Sequence, residues 1–228
     1  MRFFGRQKRW ALGVSLLLGL AGCAEQRAKF AWPFAQPKDE MPGITTPEQR
    51  IEQLKTLVAS ASRSTPQEQE RVSTDLAHQI QREEDPLVRR QIILTLSAYP
   101  TTMASAVIHA GMADTDADVR IACCKAWGRR GGTEAVEQLS RALASDTNID
   151  VRLAAARALG QTKDPSAAAP LGDALADADP ALQYRAIESL KAISGRDFGN
   201  DLAAWRQYAK TGHSDKPLTV AERLRGLF

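Results

Sequence analysis

From residue 46 onward, apolar residues recur every three or four positions, which is the spacing of one face of an α-helix. The first stripe holds Ile51, Leu54 and Val58, and the second holds Val72, Leu76 and Ile80. Each stripe follows a Thr-Pro pair, at residues 46–47 and 65–66, with Gln49 or Glu68 three residues after the threonine. A capping hydroxyl, an early proline and a Gln or Glu at the third helical position are typical of helix starts. The pattern predicts an N-terminal capping helix within 46–65 and a second helix directly after it.

A repeat of about 31 residues organises the next part of the chain. Its four copies are "DPLVRRQIILTLS" from Asp85, "DADVRIACCKAWG" from Asp116, "NIDVRLAAARALG" from Asn148 and "DPALQYRAIESLK" from Asp179. Each copy opens with an Asp or Asn suited to cap a helix, and apolar residues stand three and eleven positions later. Shorter apolar segments with their own register lie between the copies. Each unit is therefore predicted to be a pair of antiparallel helices.

A period of this length is typical of a solenoid, because stacked pairs bury apolar faces that one pair leaves exposed. Alanine and leucine dominate the repeats, and both favour helix. The predicted fold class is all-α, a short α-solenoid of about four repeats over residues 66–194. Gly128 and Gly160 end two of the copies and are expected to terminate those helices as C-terminal caps.

The pattern Asp-x-x-Val-Arg-x-x-Ala-Ala-x-Ala-Leu-Gly resembles the HEAT-like repeats first named for phycobilisome lyases. The copy from Asn148 matches best, and the first and last copies are degenerate, as end repeats often are. The resemblance implies that the arginines after the valines, Arg89, Arg120 and Arg152, form a polar ladder between helices or repeats. Asp118 and Asp150 are candidate partners in this ladder, and direct contact with a binding partner is the alternative role for the arginines.

The N-terminus has the pattern of an export signal. Basic residues in "MRFFGRQKRW" precede the apolar run "ALGVSLLLGLAG", which is short for a membrane-spanning helix. The run ends in Leu-Ala-Gly before Cys23, which resembles the lipobox of bacterial lipoproteins. The resemblance implies a signal peptide over 1–22 and acylation of Cys23, with anchoring in the cell envelope. The residue after Cys23 is Ala24 and not Asp, which favours the outer membrane where two membranes exist. A conventional signal peptide and an uncleaved anchor are the alternatives.

Residues 23–45 lack helical periodicity and contain three prolines, so they are expected to form a flexible tether. Phe30, Trp32 and Phe34 lie in this tether and could contact the membrane or a partner, or belong to a plain linker. After the repeats, a closing helix is expected within 195–212, with an apolar face of Leu202, Trp205 and Tyr208. Residues 213–228 are expected to form a tail with a short helix.

Charge changes the picture only slightly. The formal net charge is +3, but the first 22 residues hold four basic residues and no acid. Without them, 26 basic residues face 27 acidic ones, so the body of the chain is nearly neutral. A body of this charge has no electrostatic signature of nucleic-acid binding.

No catalytic or metal motif stands out, and no cofactor is expected. The chain has no CxxC, no HExxH and no His-Glu dipeptide. Paired His-Glu motifs hold the iron of deoxyhypusine hydroxylase, a HEAT-like metalloenzyme, so that activity is not expected. Cys123 and Cys124 align with apolar residues in the other copies and are expected to pack in the core.

The sequence therefore favours a membrane-anchored, non-catalytic, monomeric scaffold that binds an unidentified protein partner through the curved face of the solenoid. Lys125, Arg157 and Glu188 occupy the same register on three repeat helices and are the candidate contact residues. The alternative is an enzyme or enzyme-assembly factor whose site the sequence does not display.

Overall fold

A computed structural model describes residues 45–213, which contain ten α-helices, one 3₁₀ turn and no β-strand. The helices are α1 (Pro47–Ala61), α2 (Pro66–Ile80), α3 (Pro86–Leu96), α4 (Thr102–Gly111), α5 (Ala117–Arg130), α6 (Gly132–Ser145), α7 (Ile149–Thr162), α8 (Ala168–Ala174), α9 (Pro180–Ser194) and α10 (Leu202–Thr211). The 3₁₀ turn, Pro165–Ala167, directly precedes α8. Cys23, the aromatic tether residues Phe30, Trp32 and Phe34, and the tail helix predicted beyond residue 213 lie outside the described residues.

The helix starts are those that the sequence predicts. Thr46 and Thr65 form complete capping boxes with Gln49 and Glu68. The Asp or Asn that opens each repeat copy is the N-cap of α3, α5, α7 or α9, and its side chain accepts backbone N–H groups of the first turn. These bonds satisfy donors that have no partner within the helix. Two of the described helices lack a side-chain cap: α6 starts after Gly131, and α8 continues directly from the 3₁₀ turn after Ala167.

The helices form two layers. The odd-numbered helices pack side by side in chain order, from α1 through α3, α5 and α7 to α9, and we call them the odd layer. The even-numbered helices, called the even layer, cover one face of the odd layer, with α2 against α4 and both α6 and α10 against α8. The α-solenoid prediction is confirmed, and α1 takes its place as the first helix of the odd layer.

The space between the layers holds one continuous apolar core. The large side chains with almost no exposure include Ile92, Leu96, Trp127, Leu159 and Leu171. Cys123 and Cys124 are fully buried among them, as the alignment of the repeats predicts, and both are free thiols. Burial raises the pKa of the Cys124 thiol to about 12 and raises that of Cys123 further still. Neither sulfur is a nucleophile in the folded protein, because only the thiolate reacts.

The glycines that close the repeat motif do not end helices, and the sequence-based prediction was wrong for both. Gly128 lies inside α5, which continues to Arg130, and Gly160 lies inside α7, which continues to Thr162. A Cβ atom on Gly128 would lie 2.9 Å from the Cβ of Ala158, and one on Gly160 would lie 2.8 Å from the Cβ of Ser189. Both glycines therefore allow neighbouring odd-layer helices to approach closely.

The last helix closes the solenoid through an aromatic cluster. Trp205 of α10 is fully buried, and its ring centre lies 4.6 Å from that of Phe198 and 6.1 Å from that of Tyr208. The indole N–H donates a 2.9 Å hydrogen bond to the Gly199 carbonyl, so the buried tryptophan is satisfied. Asp201 caps this helix.

Candidate functional site

The arginines of the repeat motif form a ladder of ion pairs along the solenoid. Arg89 of α3 forms a bidentate ion pair with Asp114, in which two guanidinium nitrogens lie 2.9 and 2.8 Å from the two carboxylate oxygens. Arg120 of α5 pairs with Asp146 in the same way, at 2.8 and 2.9 Å. Arg152 of α7 pairs with Asp177. Each aspartate lies in the loop before the next odd helix, so every rung joins one helix pair to the following pair.

The arginines also bind backbone carbonyls of the segment that precedes their own helix. Arg120 donates to the carbonyls of Asp114 at 2.9 Å and Thr115 at 3.3 Å, and Arg152 donates to the Leu143 carbonyl at 2.9 Å. Gln183, which stands where the fourth arginine would be, still donates to the Asp177 carbonyl. Each ladder residue therefore fixes the entry into its own helix, and the three arginines fix the entry into the next odd helix as well.

The carboxylates in the ladder are not the ones that the sequence suggested. Asp118 and Asp150 lie in the first turns of α5 and α7, where a carboxylate interacts favourably with the helix dipole. Neither forms an ion pair with an arginine of residues 45–213. The true partners stand two residues before each N-cap and accept the backbone N–H of that cap residue at 2.9 Å. Their numbers, 114, 146 and 177, follow the period of the repeat.

A further rung at the N-terminal end was missed. Arg50 of α1 pairs with Glu83, which also accepts the backbone N–H of the N-cap Asp85 at 3.0 Å. The signal was present in the sequence, because Arg50 follows the N-cap Thr46 by four residues, as Arg89 follows Asp85.

Electrostatics indicate a structural role for the ladder. The hydrogen bonds that Arg120 donates to the Asp146 carboxylate are the main cause that lowers the pKa of Asp146, and the same bonds are the main cause that raises the pKa of Arg120. The side chains of this pair are only 14% and 11% exposed. Both charges are already neutralised within the fold and leave little for an external ligand.

The exposed face of the odd layer carries a different arrangement, a groove of about 340 Å³ that we call the basic groove. Its floor is formed by α7, through Leu153, Ala154 and Ala158, with Gln161 beside them. Its cations come from three helices: Lys125 and Arg129 from α5, Arg157 from α7, and Arg185 from α9.

None of these four cations forms an ion pair with any residue in 45–213, and no carboxylate lines the groove. Lys125, Arg129 and Arg157 are exposed, and Arg185 is partly buried. Arg129 donates one hydrogen bond, at 3.2 Å, to the Ser97 hydroxyl. The groove is therefore a cluster of positive charges that has no acidic partner in the described part of the chain.

The structure brings two of the three candidate contact residues together and separates the third. Lys125 and Arg157 line the basic groove, whereas Glu188 is partly buried and pairs with Lys191 at 3.1 Å. Arg129 and Arg185 were missed because they stand at other positions in their helices than Lys125 and Arg157. Alignment of the repeat copies finds residues at equivalent positions. It does not find residues at different positions that the fold brings to one groove.

The HEAT-repeat family profile, described as HEAT repeats, matches residues 73–148 and 136–211, which together span more than half of the chain. The chain belongs to the HEAT-repeat family. No curated protein sequence matches it. Among solved structures, human deoxyhypusine hydroxylase in complex with glycerol is similar, with 25% sequence identity and a TM-score of 0.49. The match covers 54% of this chain and 44% of the hydroxylase chain, so it spans less than half of that protein.

Within residues 45–213, no three His, Cys, Asp or Glu side chains lie close enough together to hold a metal ion. Over the same range, every helix is too short or too polar to cross a bilayer.

Proposed function

We propose that this HEAT-repeat protein is a non-catalytic scaffold that binds a protein partner through the exposed face of the odd layer. The observation that carries the proposal is the basic groove, whose four cations have no carboxylate partner among the described residues. Repeat solenoids commonly present such extended faces to their ligands. Unpaired cations on a shaped surface give both steering and orientation to an oppositely charged partner.

The contrast with the arginine ladder supports this assignment. Arg89, Arg120 and Arg152 each have a carboxylate partner inside the fold, so their charges stabilise the solenoid. Lys125 and Arg157 stand nine residues after their N-caps and point away from the even layer, where no described residue neutralises them. The fold explains the ladder, whereas the basic groove has no structural role that requires its charges.

The second part of the proposal is that Cys23 carries a lipid that anchors the protein in the cell envelope, in the outer membrane where there are two. It rests on the basic and apolar segments of residues 1–22 and on the lipobox-like "LAGC" that ends them. Multiple acyl chains give stable anchoring, whereas one chain gives only marginal binding. The tether would then hold the groove within reach of partners near the membrane.

Charge reversal at the groove tests the scaffold role. We expect the full chain with Lys125→Glu and Arg157→Glu to capture its envelope partner at least tenfold less well than the wild-type chain. The matched control is Arg71→Glu with Lys210→Glu, which makes the same charge change on exposed positions of the even layer. Quantitative cross-linking in envelope fractions measures the difference. Equal capture by both variants and the wild type would show that the partner does not bind the exposed face of the odd layer.

The anchor is tested at Cys23 itself. The Cys23→Ala variant should incorporate no labelled fatty acid and should move from the membrane fraction to the soluble fraction. Ala24→Ser serves as the control, because it leaves the lipobox-like segment and its cysteine in place. Retention of the Cys23→Ala variant in membranes would show that another part of the chain provides the anchor.

A further inference from the structure

We infer that the occupant of the basic groove is an extended acidic segment of the partner protein, which crosses α5, α7 and α9 with carboxylates about three residues apart. This inference rests on the scaffold function proposed above and specifies the chemistry of the partner. Three features of the groove support it: the distribution of its charges, the character of its floor, and the spacing of its helices.

The charges favour a segment that crosses the helices and does not run along one of them. The four cations are contributed by three consecutive odd-layer helices, with Arg157 in the middle and Lys125 and Arg185 on the two sides. A ligand aligned with α7 alone would meet only one cation there. Complementary charges across an interface set its register and raise the association rate.

Acidic residues elsewhere on this face restrict where the segment can lie. Asp118 and Asp150 stand in the first turns of α5 and α7, seven residues before Lys125 and Arg157. At 1.5 Å per residue, this places the acids roughly 10 Å away along the helices. An acidic segment is repelled at the N-terminal ends of these helices and attracted over their C-terminal halves.

The floor of the groove selects an apolar side chain between the carboxylates. Leu153 and Ala154 are partly buried and Ala158 is buried, so the centre of the groove is aliphatic while its sides are charged. A flat lipid surface would contact the exposed Lys125 and Arg157 but would leave this floor uncovered. A peptide side chain fits both features, and for this reason the groove favours protein over membrane.

The helix spacing gives the expected interval between carboxylates. Packed helices lie roughly 8–10 Å apart. An extended polyproline-type segment advances about 3.1 Å per residue with three residues per turn, so every third side chain returns to the same face after roughly 9 Å. Glutamates at every third position would therefore meet one helix after another.

Labelled nine-residue peptides provide the test, with binding to the full chain in detergent measured by fluorescence anisotropy. The probe EPLEPLEPL places glutamate at every third position. We expect it to bind at least tenfold more tightly than QPLQPLQPL and at least threefold more tightly than EEEPLPLPL, which has the same composition in another order. Replacing leucine by serine in the probe should also weaken binding.

Protein variants and vesicles complete the design. Binding of the probe should fall at least tenfold in the Lys125→Glu, Arg157→Glu variant and stay unchanged in the Arg71→Glu, Lys210→Glu control. Equal binding of the two glutamate peptides, or equal loss in the control, would overturn the inference in favour of diffuse charge attraction. Groove-dependent binding to phosphatidylglycerol vesicles without peptide binding would assign the groove to lipid. Envelope capture that still depends on Lys125 and Arg157, without binding of any acidic peptide, would support the scaffold function. It would overturn the inference that the occupant of the groove is an acidic segment.

Discussion

Replacing Trp205 with alanine is expected to lower the free energy of unfolding by about 3–5 kcal/mol. The side chain is fully buried, packs edge-on against Phe198 and Tyr208, and donates its indole N–H to the Gly199 carbonyl. Its removal leaves a large cavity and an unpaired carbonyl at the end of the solenoid. Repeat proteins are stabilised by contacts between neighbours, and α10 packs against α8 and α9, so the loss should be concentrated in these three helices.

Urea unfolding followed by circular dichroism measures the total effect, and hydrogen exchange locates it. The Tyr184→Ala variant is the control, because that aromatic side chain is 55% exposed and should cost less than about 0.5 kcal/mol. A loss below about 1 kcal/mol for Trp205→Ala would mean that α10 does not close the stack in solution.

Breaking one rung of the arginine ladder is expected to have the second-largest effect. The Arg120→Met variant keeps the aliphatic part of the side chain but leaves Asp146 without its cation and frees the carbonyls of Asp114 and Thr115. Removing one partner of a buried pair costs about 3–5 kcal/mol, and this pair is slightly exposed, so about 2–3 kcal/mol is expected. Thermal and urea unfolding at neutral pH would measure this loss.

The chain offers a matched control on its surface. Arg141 pairs with Glu137 one turn away on α6, and both side chains are well over half exposed. Exposed pairs of this kind contribute about 0.3–0.5 kcal/mol, so Arg141→Met should be nearly neutral. Similar losses for the two variants would show that the ladder pairs are no stronger than ordinary surface pairs.

Acid should reduce the difference between the wild-type chain and Arg120→Met. Because Arg120 lowers the pKa of Asp146 in the folded state, the pair contributes stability at pH values above the ordinary aspartate pKa of about 4. This contribution disappears as pH falls through the lowered pKa of the folded state. The difference between the two unfolding free energies should therefore shrink as pH falls below about 4, to the part that comes from packing and from the Asp114 and Thr115 carbonyls. A difference that stays constant with pH would show that charge pairing with Asp146 contributes little.

The sequence predicts the fold well because its signals are local. Caps such as Thr46 and Asp116, followed by apolar residues at helical spacing, depend only on residues a few positions apart. The ladder arginines were indicated by the resemblance of the copies to HEAT-like repeats. Their partners were not, since Arg120 binds Asp146 across 26 residues and nothing local distinguishes that aspartate from Asp118.

The remaining errors have related physical causes. Gly128 has the position of a helix cap, but close approach of α5 to α7 keeps it inside a helix, and only packing reveals that constraint. The basic groove combines Arg129 and Arg185 from different positions of two helices, so its composition depends on how the odd layer assembles. The repeat pattern predicts which side chains are exposed. Which of these side chains meet in one groove depends on the tertiary structure.

The two buried cysteines can report when the central helices of the solenoid open. Cys123 and Cys124 lie in α5, midway along the odd layer, and a thiol reagent can reach them only when this central helix separates from its neighbours. The rate at which these two thiols are alkylated therefore measures local opening around α5. It is insensitive to fraying of the terminal helices α1 and α10. Compared with a spectroscopic unfolding curve, it would distinguish a solenoid that opens as one unit from one that unravels from its ends.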